Sequence, residues 1–271
     1  MKRLRVGISP CPNDTFAFHA LIERKIQTPG LALEFELDDI EALNRRFAGG
    51  EFDASKLSFA AALALGPEVR VLAAGAALGF GVGPVLLARP GQRLELGRVP
   101  LRARVLAPGE HTTATLLYSL FHHGEGQVEQ QRFSAILPAL ERGDADFGVC
   151  IHEGRFTYRE HGLELVEDLG RTWEERTHSP LPLGGIVART ELGDACLSAL
   201  EDAIRRSIEY AQAHRAEALV TMRAHAQEQA DEVLWQHVAL YVNEWTRDLG
   251  QSGRRAITEL GERARRARQS P

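Results

Sequence analysis

The chain has 271 residues, enough by length for about two domains with cores of their own. Apolar residues make up 44% and charged residues 25%, and 32 basic against 37 acidic side chains give a formal net charge of −5. That balance argues against nucleic acid or an anionic membrane as partner. No apolar run reaches the ~18 residues of a membrane span. Cys11, Cys150 and Cys196 have no paired spacing, so neither a disulfide framework nor a metal site is indicated. The apolar stretch after the basic Lys2, Arg3 and Arg5 is too short for a signal-peptide core, so a cytoplasmic, mixed α/β protein is expected.

Residues 4–8 read as a strand, followed by a Pro/Asn/Asp turn and a helix over about 15–25. Alternating apolar and acidic residues predict a half-buried strand over 31–37, and 40–48 reads as a helix ending at Gly49-Gly50. A short strand over 52–57, an Ala/Leu-rich helix over 59–65 stopped by Gly66-Pro67, and strands over 69–74 and 84–88 follow. Strands alternating with helices predict βαβ units and largely parallel sheets. After Glu191 the pattern is helical only, over 195–213, 216–227, 231–249 and 254–268, with Asp231 as an N-cap. The Arg-rich tail beyond Glu262 is expected to fray.

Two internal resemblances bear on domain organisation. IEALNRRFAGGEFDASKLS (40–58) and ILPALERGDADFGVCI (136–151) are each a helix, a Gly stop, and Gly-x-x-Asp leading into a strand (Gly50/Asp53 and Gly143/Asp146). Gly-x-x-Asp is also a common turn before a strand, so duplication and coincidence both remain open. GPVLLARP (83–90) and LGGIVART (183–190) look like a matched pair of strands that leave one domain and return to it. They predict a two-strand hinge between a larger lobe (1–88 plus 188–271) and a smaller one (89–187), with the active site in the cleft between them.

Polar groups at the carboxyl ends of strands are the candidates for chemistry, because open α/β sheets bind ligands there. In SPCPNDTFAF (9–18), Asn13, Asp14 and Thr15 either cap a helix or face a ligand. In LAPGEHTTATLLYSLFHHG (106–124), Thr112 and Thr113 stand at a helix start, as simple caps or as part of a site for a small acid. Lys56 and Ser58 close another strand. In CIHEGRFTY (150–158), His152 follows an apolar strand, where a histidine is either structural or a general base with a pKa near neutrality. Glu153 is either a further group of that site or a solvated loop charge. His111, His122 and His123 lack metal-ligand spacing and read as surface or capping residues. GFGVG (79–83) precedes a strand rather than a helix, which rules out a dinucleotide fingerprint.

SPCPNDTFAF, NRRFAGGEFDASKLSFAA, GFGVGPVLLAR, GEHTTA, IHEGRFTY and PLPLGGIVAR together closely resemble the 1,4-dihydroxy-6-naphthoate synthase family of the futalosine route to menaquinone, over nearly the whole chain. The resemblance implies a type II periplasmic-binding-protein fold. It also implies cleavage of cyclic dehypoxanthinyl futalosine, a small-molecule substrate, with release of a dihydroxyacetone fragment and no metal or organic cofactor. Carried over by position, His152 is the proton acceptor. Lys56, Leu57, Ser58, Thr112, Thr113 and Ala114 are substrate-binding, with Asn44 and Asp14 as further candidates. A sibling on the same fold, chorismate dehydratase, is the nearest alternative, and SPCPNDTF favours the synthase. The other alternative is a solute-binding protein for an organic acid, which would need export and no base. The oligomeric state is left open.

Overall fold

The computed structural model describes residues 1–226 and 230–269. Its strands are β1 (Lys2–Ile8), β2 (Leu31–Leu37), β3 (Ala54–Ser58), β4 (Val69–Val71), β5 (Ala77–Gly79), β6 (Val85–Ala88), β7 (Arg104–Ala107), β8 (Gln127–Gln130), β9 (Phe147–Cys150), β10 (Glu164–Asp168) and β11 (Leu181–Arg189). They form two sheets. One has the order β2-β1-β3-β11-β4, with β5 against β11; the other has the order β10-β6-β9-β7-β8.

The two sheets repeat one plan. In the first, β2, β1 and β3 run parallel, and β11 lies antiparallel beside β3 with Gly184 opposite Ser58. In the second, β8, β7 and β9 run parallel, and β6 lies antiparallel beside β9 with Val85 opposite Cys150. Each sheet therefore has a parallel core of three strands with one antiparallel strand, β11 or β6, beside it. In turn β4 or β10 pairs antiparallel with that strand, so the expected parallel pairing holds for the core strands and not for the pairings of β11 and β6. The resemblance between the strands of GPVLLARP and LGGIVART has a structural counterpart, since β6 and β11 hold the same place in their sheets.

Local chemistry builds the crossovers. Helix Ile40–Ala48 is capped by Asp39, whose carboxylate accepts from the backbone N–H of Glu41 and Ala42, and it buries Leu43 and Phe47 one turn apart. Helix Phe133–Arg142 buries Ile136, Ala139 and Leu140 and ends at Gly143 in the left-handed conformation (φ 77°). Helix Asp194–Ala213 buries Leu197, Leu200, Ile204 and Ile208, which close the first core against Leu4, Val6, Ile8 and Ile186. Fully burying each such side chain is worth about 1.5–3 kcal/mol. The second core gathers Val85, Leu87, Leu106, Ile136, Leu140 and Cys150.

The chain divides into two compact units, Met1–Gly79 with Pro182–Ile257, and Phe80–Leu181 with the residues from Thr258. The sequence boundaries at 88 and 188 differ from these, because β6 pairs with β9 and β10 while β11 pairs with β3 and β4. Several helices differ too. The first starts at Pro12 and is broken at Phe18 into Pro12–Ala17 and His19–Ile22. Asp231 is the first residue of helix Asp231–Tyr241 rather than its cap, and it pairs with Arg223. Glu244–Arg247 is a separate turn capped by Asn243. The Arg-rich tail is helical through Gln269 rather than frayed, with Arg263 over the Trp173 ring. The expected end of a helix at Gln227 lies outside the described residues. No helix among the described residues is long and apolar enough to cross a membrane.

Candidate active site

In the first unit, the carboxyl ends of β1 and β3 lie side by side, and three polar segments meet there. The turn after β1 brings Asp14 into helix Pro12–Ala17, where it is buried. Its N-cap position is Cys11, and the Asp14 carboxylate turns away from a capping role. Oδ2 accepts from Ser9 Oγ at 2.6 Å, while Oδ1 accepts from Asn13 Nδ2 at 2.8 Å and from Lys56 Nζ at 2.5 Å. Lys56, also buried, donates again to the Gly75 carbonyl at 3.2 Å. An ammonium has three protons to give, so this one is fixed by two partners with one proton left for a third.

Beside it, Asn44 reaches across from helix Ile40–Ala48. Its Oδ1 accepts from the Ser58 backbone N–H at 3.0 Å and its Nδ2 donates to Ser58 Oγ at 3.3 Å. Asn44 thus shapes the strand end that carries Ser58, and both side chains are buried. Leu57 alternates with Lys56 and Ser58 along β3, so its side chain lies on the other face, and it is fully buried.

In the second unit, β7 and β9 are parallel neighbours, so the segments that follow them share one edge. After β7, Thr112 is the N-cap of helix Thr113–Phe121. Its Oγ1 accepts from the Thr115 backbone N–H at 3.2 Å and donates to the Gly109 carbonyl at 2.8 Å. Thr113 and Ala114 are the first two helical residues, and Thr112, Thr113 and Ala114 are all buried. The Thr112 hydroxyl is therefore committed to the cap. The dipole of this helix start is the feature suited to an anion.

After β9 comes His152, half-buried, with its ring edge-on to Phe133 at 4.9 Å between centroids and 66° between planes. Its φ is 57°, left-handed backbone that a residue with a β-carbon rarely adopts. Backbone strain of this kind recurs at functional sites, and Arg24, Leu96 and His178 also have a left-handed φ. Burial pushes the thiol of Cys150, two residues earlier, far above its ordinary pKa, so it stays protonated and is no rival nucleophile. Glu153 occupies the N-cap position of the single turn Gly154–Thr157.

Sequence reasoning placed His122 among surface or capping residues, and the structure corrects this. His122 is 4% exposed, with Nδ1 2.8 Å from Glu125 and Nε2 2.8 Å from Glu167. Glu125 is three residues away, but Glu167 stands on β10, and no local signal joins it to His122. His111 and His123 are exposed, as the sequence implied.

A family model described as menaquinone biosynthesis matches residues 4–266. The chain belongs to that family. It is 49% identical to the 1,4-dihydroxy-6-naphthoate synthase of Thermus thermophilus, over 96% of this chain and 93% of the relative. It is 40% identical to the synthase of the same name from Streptomyces coelicolor, over 96% and 92%. Among solved structures, a protein of Archaeoglobus fulgidus matches with a TM-score of 0.91 at 31% identity, covering 99% of this chain and 98% of that one. A Candida albicans protein with the generic periplasmic-binding-protein fold matches at 0.68 and 14% identity, covering 100% and 92%. The fold is that of periplasmic binding proteins, two-lobed and mixed α/β, as the resemblance implied. The family's named synthases make this chain an enzyme of menaquinone biosynthesis.

Proposed function

We propose that the chain is a 1,4-dihydroxy-6-naphthoate synthase, a carbon–carbon lyase. It cleaves cyclic dehypoxanthinyl futalosine to the naphthoate, releases a dihydroxyacetone fragment, uses no metal or organic cofactor, and works in the cytoplasm. The observation that carries this reading is the 49% identity, over nearly the full length of both chains, to a protein of that name.

In this reading His152 accepts a proton from the carbohydrate-derived part of the substrate, which starts a retro-aldol-like cleavage. Aromatisation of the new ring makes the step irreversible. A positioned base is typically worth 10²–10⁴-fold, and the left-handed backbone at the end of β9 supports a functional role for this histidine. The Lys56 ammonium, fixed by Asp14 and Gly75, offsets developing oxyanion charge with its third proton. Ser58, set by Asn44, and the backbone of Leu57 bind polar groups of the substrate. The helix start at Thr112, Thr113 and Ala114 holds the carboxylate.

The test is incubation of the purified protein with cyclic dehypoxanthinyl futalosine, following the dihydroxynaphthoate by absorbance and mass. Formation of the naphthoate supports the reading. Binding of the substrate without turnover would replace it with the solute-binding alternative.

A further inference from the structure

His152 has a left-handed backbone (φ 57°), costlier for it than an ordinary conformation, and the residues after it bear on how that conformation is kept. The residues after it form a single helical turn, Gly154–Thr157, too short to be stable by itself. The turn is joined to His152 through the main chain, since the Arg155 backbone N–H donates to the His152 carbonyl at 3.2 Å.

The other end of Arg155 is anchored. Its guanidinium donates through Nη1 to the Gly83 carbonyl at 2.8 Å and through Nη2 to Asp168 Oδ2 at 2.6 Å. Both acceptors are rigid. Gly83 is pressed backbone to backbone against Gly170, so close that a β-carbon on Gly83 would lie 2.1 Å from the Gly170 Cα. Next to it, the Leu169 N–H donates to the Pro84 carbonyl at 3.1 Å. Asp168 divides its oxygens, with Oδ1 capping helix Leu169–Thr177 through the Arg171 N–H and Oδ2 taking Arg155. A planar guanidinium presents its N–H groups in a fixed fork, so the directions to its two acceptors are set by the group itself, whereas the donors of an ammonium rotate freely.

We propose that Arg155 is a positioning residue: pinned to Gly83 and Asp168, it holds the turn that keeps the His152 backbone left-handed and its ring against Phe133. The proposal rests on the reading of His152 as the base. It predicts that loss of Arg155 acts through His152 on the chemical step, not on substrate binding.

The experiment begins with wild-type turnover of cyclic dehypoxanthinyl futalosine, so that failure of the functional reading shows first and separately. Arg155→Ala is then expected to lower kcat roughly 10- to 100-fold, the scale of a catalytic group displaced by about 1 Å, with KM within about twofold of wild type. In a His152→Asn background the same substitution should cause no further loss of rate, because the group it positions is gone. Arg155→Lys, which keeps the charge but loses the fixed fork, should fall between, and it stands in if the alanine variant does not fold. Wild-type kcat in a folded Arg155→Ala or Arg155→Lys protein would overturn the proposal. So would a loss confined to KM, or an equal further loss in the His152→Asn background.

Discussion

Lys56 Nζ lies 2.5 Å from Asp14 Oδ1, and the two charges, 42 residues apart in sequence, are buried together at the edge of the first sheet. Removing one partner of a buried ion pair leaves the other uncompensated, typically at a cost of about 3–5 kcal/mol. Asp14→Asn should therefore destabilise the protein by that order, measured by denaturant unfolding. The double variant Asp14→Asn/Lys56→Met should recover more than half of the loss. Additive losses in the cycle would show that the pair is not energetically coupled. Lys56→Met alone should also depress kcat, because the mechanism places its ammonium on developing oxyanion charge.

His122 gives the second unit a pH-dependent stability. Burial alone would depress its pKa, but hydrogen bonds and charge from Glu167 and Glu125 outweigh that and raise it. The pair with His122 holds Glu167 below the usual carboxylate range. A raised histidine pKa contributes stability that is fully present below the unfolded value of about 6.5 and is lost as pH rises through the folded value. The lowered carboxylates contribute stability present above their unfolded value of about 4.3 and lost as pH falls through the folded one. The advantage of wild type over His122→Gln should thus hold across mildly acidic pH and shrink above about pH 6.5. Urea unfolding across pH measures it. An advantage that grows toward pH 9 would contradict the imidazolium assignment.

The close approach of Gly83 and Gly170 leaves no room for a methyl group, since both neighbours are backbone. Overpacking of a tight core typically costs about 1–3 kcal/mol, and more where nothing can give. Gly83→Ala should reach at least the upper part of that range in chemical unfolding. Gly162→Ala, with open space around it but φ 66°, should cost only about 1–2 kcal/mol from backbone strain.

The two Gly-x-x-Asp turns read in the sequence have a shared physical basis. Asp53 Oδ2 accepts from the Arg5 N–H at 2.7 Å, and Asp146 Oδ2 accepts from the Arg104 N–H at 2.8 Å. In both, the Gly-x-x-Asp carboxylate takes up a backbone donor of the neighbouring parallel strand, after a glycine with positive φ (Gly50 and Gly143). Asp53→Ala and Asp146→Ala should therefore cost similar amounts, about 0.5–1.5 kcal/mol each, measured by denaturant titration. A large difference between them would argue that the two turns are not equivalent.

What the sequence revealed was what local chemistry determines. The alternation of Leu31–Leu37 and the helical pattern of Ile40–Ala48 before Gly49-Gly50 placed a strand and a helix at their observed limits. The polar groups after β1, β3, β7 and β9 were recognisable because strand ends and turn residues are local signals. The partners of those groups were not. Lys56 meets Asp14, His122 meets Glu167, and Arg155 meets Gly83 only through tertiary folding, across 42, 45 and 72 residues. The strand Ala77–Gly79 was also missed, since its small residues carry no period. Nor does anything in Ile151-His152-Glu153 announce a left-handed histidine.

The most direct test of the proposed chemistry is turnover of cyclic dehypoxanthinyl futalosine by wild type and by His152→Asn, both shown to be folded. The expected result is formation of 1,4-dihydroxy-6-naphthoate by wild type and at least a ~10²-fold lower kcat in the variant, with substrate affinity nearly unchanged. Near-wild-type turnover by folded His152→Asn would contradict the assignment of His152 as the base.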